Sequence, residues 1–233
     1  MTGTGQVAAA AAAFVGSHFA LSHPLRKPIV ERIGERGFLL LYVVVAFATL
    51  GWLAEAFRSA PDEALWWPVG DGLWAVATVI MLVASVLLMG SFVRNPALPT
   101  GGRPAAAPEE AKGVFAVTRH PMMWSFALWS AAHLLVMPYL ANAILVGAVA
   151  VLALAGAAMQ DRKKERLQPE TWRAWEARTS YWPFAAIARG RTRFGGFGGH
   201  ALGGGVVLWL AATWAHIPLA GWAAGVWRWV WPA

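Results

Sequence analysis

The chain has 233 residues, of which 58% are hydrophobic and only 13% charged, with a formal net charge of +7 and no cysteine. A soluble domain carries roughly 25% charged residues, so this balance excludes an ordinary soluble fold and predicts an all-α integral membrane helical bundle. The missing thiols exclude disulfides, iron–sulfur clusters and Cys-ligated haem. A nucleic-acid partner is excluded too, because Lys and Arg gather in three stretches between apolar runs, as the positive-inside rule produces.

At roughly 20 residues per span, about six transmembrane helices are expected in one domain covering residues 1–233. The first run, about Val7 to Leu21, is short and Ala-rich and contains His18. No Lys or Arg precedes Arg26, so it lacks the basic start of a signal peptide and reads as a retained first span. Arg26, Lys27, Glu31, Arg32, Glu35 and Arg36 mark residues 22–36 as a charged loop. A clear span follows over about Phe38 to Phe57, with Glu55 near its far end. Asp62, Glu63, Asp71, Trp66 and Trp67 make the next loop acidic and aromatic, as at a non-cytoplasmic interface.

The third run, about Gly72 to Val93, leads into a Pro/Gly/Ala linker with Arg94, Arg103, Lys112 and Arg119. Pro and Gly argue against a helix through that linker. The fourth and fifth runs, about Met122 to Met137 and Leu140 to Met159, are separated by so little that they predict a helical hairpin. Asp161 to Arg166 opens a polar segment reaching His200, with Trp172, Trp175, Tyr181 and Trp182 among arginines. That mixture predicts an amphipathic helix on a membrane surface followed by a Gly-rich turn. Residues 202–233 form a hydrophobic extension interrupted by Pro218, either one kinked span or a span plus a Trp-rich interfacial helix. The basic stretches 22–36, 94–119 and 161–200 fall on one side of this alternation. They are therefore expected in the cytoplasm, with the N-terminus outside, as for a multi-pass protein of a bacterial inner membrane.

Ionisable groups inside lipid are expensive and mark function. His18 lies in Gly16-Ser17-His18-Phe19, near the cytoplasmic end of the first span, and His133 lies deep in the fourth. Each is either a hydrogen-bonded inter-helix residue or a ligand; neutral imidazole binds haem iron or a transition metal well. Met122, Met123 and Met137 are packing residues before they are soft ligands. In Thr118-Arg119-His120-Pro121, proline suits a first helical turn and Thr118 is a candidate cap. Free backbone N–H groups beside Arg119 make that start a candidate anion site. His23 and His200 are expected in solvated loops, His216 at the outer interface, and Glu55 near the surface. Asp161 and Glu165, four apart and close to Arg162 and Arg166, predict a salt-bridged helix end. No serine sits in a nucleophile-like turn, and no Walker or dinucleotide fingerprint is present.

Arg119-His120-Pro121, Trp124, Phe126-Ala127-Leu128-Trp129 and His133-Leu134-Leu135, with His18, Arg26, Glu35-Arg36-Gly37-Phe38 and Asp161-Arg162-Lys163, resemble the NnrU family over about residues 10–170. That family includes proteins linked to denitrification and nitric oxide metabolism and the plant-type zeta-carotene isomerase, a haem b protein with histidine ligands. The resemblance implies haem b between His18 and His133, a small apolar or gaseous ligand, and redox or isomerase-like activity. The cysteine proposed in the isomerase's ligand chemistry has no counterpart here. Depth leaves an alternative open. At about 1.5 Å per residue, His133 lies about 20 Å beyond His120, whereas His18 is about 12 Å from Arg26. His120, beside Arg119, is therefore the alternate partner for His18.

Asp161 to Trp182, with Glu165-Arg166-Leu167, Trp172, Trp175 and Tyr181-Trp182-Pro183, is more distantly similar to the tail of isoprenylcysteine carboxyl methyltransferases. Those enzymes also carry Arg-His-Pro before a helical hairpin, and the likeness implies S-adenosylmethionine near His120 and Glu165. Their paired glutamates are replaced here by the separated Asp161 and Glu165. A non-enzymatic transport or assembly role is the third alternative.

Overall fold

A computed structural model describes residues 3–98 and 107–231, so Arg103 lies outside the described residues. Every regular element among them is helical. In chain order these are α1 (Gly3–Ser22), α2 (Arg26–Arg58), α3 (Asp71–Gly90), α4 (Val114–Val117), α5 (Pro121–Val136), α6 (Leu140–Leu167), α7 (Pro169–Arg178), α8 (Ala185–Ala188), α9 (Gly199–Ala220) and α10 (Trp227–Val230). The six long helices α1, α2, α3, α5, α6 and α9 fall on the six apolar runs. Four of these, α2, α3, α6 and α9, are long and apolar enough to cross a membrane. Helix α5 is apolar but shorter, and the Gly, Gln, Ser and His residues of α1 lower its hydropathy.

The chain divides into two compact units, Met1–Val69 with His133–Leu152, and Gly70–Ala132 with Ala153–Ala233. In the first, α1 packs along α2 through Val7, Ala10, Ala11 and Phe14 against Leu53 and Ala56, with Ala141 in the same core. Glu63 in the connecting loop accepts the N–H groups of Leu140 and Ala141 at 2.8 and 3.2 Å and the Thr4 hydroxyl at 3.2 Å. A carboxylate thus satisfies the orphan donors at the positive start of α6. The Asn142 amide donates to His133 O and Met137 O, closing the turn between α5 and α6.

Residues 22–36 differ from the expected loop: α2 begins at Arg26 and breaks only at Gly34, whose φ of 72° suits glycine. Lys, Arg and Glu are good helix formers, so charge here marks where apolarity ends and not where helix ends. The stretch 161–200 is likewise largely not a loop, since α6 continues to Leu167 and α7 follows.

In the second unit, α3 packs closely along α9. A Cβ on Gly205 would lie 2.7 Å from the Val86 Cα, so this approach requires glycine. Pro169 opens α7, and Trp172, Trp175, Glu176 and Thr179 share one face. Both indoles are fully buried, in a core with Leu87, Val114 and Phe115. The apolar face expected on a membrane surface is therefore covered by protein. Helix α9 holds Pro218 in its last turn and stops at Gly221, in the left-handed region at φ 77°. The separate short α10 follows, which resolves the extension into a helix plus a Trp-rich turn.

Candidate functional site

Thr118-Arg119-His120 links α4 to α5, whose first residue is Pro121, with Thr118 extended and a bend at Arg119. It pairs with the segment after α7. Arg119 N donates to Ser180 O at 2.8 Å, and Phe184 N donates to Val117 O at 2.8 Å. The Thr118 hydroxyl donates to Tyr181 O at 2.7 Å and accepts from His120 N at 3.3 Å. The Trp124 indole N–H also reaches Tyr181 O, at 2.9 Å. The Tyr181 hydroxyl donates to Leu154 O at 2.7 Å and its ring stacks edge-on to His120. This clamp holds Phe184 at φ 63°, a left-handed conformation uncommon for a bulky residue.

The clamp fixes two side chains against Asp161 of α6. His120 Nε2 lies 2.8 Å from Asp161 Oδ1, and Arg119 Nε and Nη2 lie 2.9 and 2.7 Å from Oδ2. Arg119 Nη2 also meets Glu176 Oε1 of α7 at 3.0 Å. The His120 side chain is 1% exposed, Asp161 9% and Arg119 13%, so water screens these contacts little. An Asp161 carboxylate can only accept, so Nε2 carries the hydrogen and neutral His120 has its basic lone pair on Nδ1. Burial most of all pushes the Glu176 carboxyl up, to about 7; Arg119 opposes this, while a hydrogen bond with Glu165 and the charges of Asp161 and Glu165 add to it. The cluster can therefore hold or release a proton near neutral pH.

Several expectations meet this geometry directly. Asp161 pairs with Arg119 and His120 and not with its helical neighbours, because Asp161 faces the protein interior. The Arg119 guanidinium offered to an anion is already matched by two carboxylates. Glu165, separated from Asp161 in sequence, reaches the same cluster through Glu176. Glu176 itself carried no sequence signal beyond the i, i+4 relation to Trp172. Glu55 is exposed and paired with Arg58 at 2.7 Å. His200 is exposed as expected, though in the first turn of α9. His216 is half-buried against Trp222, with Nδ1 2.9 Å from Ala212 O.

His18 and His133 both belong to the first unit and are half-buried. His18 Nδ1 donates to Phe14 O at 2.7 Å, and its ring meets those of Phe14 and Tyr42 edge-on. A carbonyl only accepts, so Nδ1 holds the hydrogen and Nε2 keeps a lone pair. No cluster of three or more His, Asp or Glu side chains with metal-ligand geometry occurs among the described residues.

Helices of membrane-crossing length and a buried His–Asp–Arg–Glu network at an Arg-His-Pro turn define a multi-helix, membrane-type protein with a polar centre. The NnrU protein family profile matches residues 6–224, and the chain belongs to that family. No curated protein and no solved structure matches it.

Proposed function

We propose that this NnrU-family protein is a membrane enzyme whose acid–base centre is Arg119, His120, Asp161 and Glu176. The observation that carries the reading is the convergence of buried Asp161 and half-buried Glu176 on Arg119, with Glu165 adding a third carboxyl. Acid groups outnumber the guanidinium, so the centre favours a small ligand bearing positive charge. S-adenosylmethionine, a sulfonium, has that chemistry, and Asp161, Glu165 and Glu176 would face the cation and its ammonium group. When bound, it supplies an electrophilic methyl group. Asp161 orients His120 so that the Nδ1 lone pair would take the proton lost by the substrate nucleophile that accepts the methyl group, and Glu176 exchanges a second proton near pH 7. In this reading the basic stretches face the cytoplasm of a bacterial inner membrane. Calorimetry on the purified full chain tests it. Binding of S-adenosylmethionine that Glu176→Gln and Asp161→Asn weaken is expected; no heat at about millimolar ligand overturns the cofactor.

A second reading rests on the His18 hydrogen bond to Phe14 O. A histidine that donates Nδ1–H to a carbonyl is held in one orientation with Nε2 turned outward, as iron ligands are. His18 and His133 would then hold haem b, whose chemistry is electron transfer or ligand binding at iron. That chemistry suits the nitric oxide, denitrification or isomerase roles the family resemblance implies. His120, the alternate partner, already commits Nε2 to Asp161. A Soret band in protein made with ample haem, lost in His18→Ala or His133→Ala, is expected; colourless protein ends this reading.

A further inference from the structure

Away from the acid–base centre, the start of α3, the turn after α9 and α10 border an open cavity of about 440 Å³. It is lined by Asp71, Trp74, Trp222, Arg228, Trp229 and Trp231. Arg228 donates from Nε and Nη2 to Asp71 at 3.2 and 3.1 Å, both bonds falling on the single oxygen Oδ1. The pair is open to solvent, with Asp71 73% exposed. The Arg228 guanidinium also lies 4.9 Å from the Trp74 ring centroid. Exposed ion pairs of this kind contribute little stability, and their partners exchange readily. The cavity stands at the ends of two helices of membrane-crossing length, where tryptophans meet both acyl chains and head groups.

We infer that this cavity binds the head group of a zwitterionic phospholipid. The Arg228 guanidinium takes the phosphate as a bidentate donor. Asp71, released from Arg228, takes the ammonium beside the Trp74 face, where a cation is favoured. Each charge of the resident pair is replaced by its like, so binding leaves no unmatched charge. An anionic head group would satisfy Arg228 but face Asp71 unpaired. The indoles of Trp229 and Trp231, both about half exposed, flank the upper acyl chains.

The test uses the full chain reconstituted with equimolar phosphatidylethanolamine and phosphatidylglycerol, then extracted gently for native mass spectrometry of retained lipid. Phosphatidylethanolamine is expected to predominate. Arg228→Ala should lower its retention by about tenfold, the scale of one charge-assisted bond. Asp71→Asn should shift retention toward phosphatidylglycerol, which a merely structural role for Asp71 would not do. Arg58→Ala, altering a different exposed ion pair, should change nothing. Equal retention of the two lipids, or a preference that survives Asp71→Asn, overturns the inference. Arg228→Lys, which keeps charge but loses the fork, guards against misfolding of the alanine variant and should retain an intermediate amount.

Discussion

His18 and His120 are the same side chain in opposite surroundings. His18 hydrogen-bonds to a carbonyl of its own helix, and the rings of Phe14 and Tyr42 meet it edge-on. His120 is held by a carboxylate 41 residues away, beside an arginine matched by two acids. The first arrangement leaves Nε2 outside the hydrogen bond; the second ties Nε2 to a carboxylate and fixes the ring against it. The surroundings, not the side chain, set which ring nitrogen is engaged.

That contrast can be broken most forcefully at Asp161. Asp161→Ala leaves the buried Arg119 and His120 without their shared acceptor and should cost about 3–5 kcal/mol. Thermal unfolding in detergent, followed by circular dichroism, measures it; a melting temperature equal to wild type would falsify the network. His120→Ala should cost about 1.5–3 kcal/mol, the range for a hydrogen bond to a charged group. His18→Ala, losing one local bond in a half-buried site, should stay below about 1 kcal/mol. If the two alanine variants melt together, the histidines are not in different regimes. Thr118→Val removes a fully buried hydroxyl from the Tyr181 and His120 contacts, for about 1–3 kcal/mol, and should also disturb the near-ultraviolet signal of Trp124.

The smallest effect is a pH dependence. The Glu176 carboxyl is raised in the folded chain, so folding is most favoured where it keeps its proton. That contribution is full below the ordinary value of 4.5 and is lost as pH rises toward and through about 7. Melting temperatures of wild type and Glu176→Gln should therefore diverge between pH 5 and pH 8, wild type falling relative to the variant. Parallel curves would place the titration elsewhere.

The apolar runs located all six long helices, because hydropathy and helix length answer to the same membrane thickness. Their ends were less legible. Charged residues from Arg26 to Arg36 continue a helix as well as they make a loop, and only Gly34 interrupts it. Arg119 and His120 stood out in the sequence, since Arg-His-Pro before an apolar run is distinctive. Their partners did not. Asp161 has arginines beside it in sequence, and local pairing explained it too easily. Glu176 sits among arginines on a helix whose indoles, not its acid, drew attention. Long-range pairing of ionic groups depends on which helix face turns inward, and a single sequence shows that only where apolar residues mark the face.

Glu63 has a consequence for assembly. It gathers the start of α6 and Thr4 of α1, positions 77 and 59 residues distant from it. The donors at the start of α6 therefore meet this acceptor only where the α1–α2 pair and the α5–α6 turn are both in place. One acidic side chain in a short loop thus makes the pairing of the first two helices and the capping of a much later one a single event.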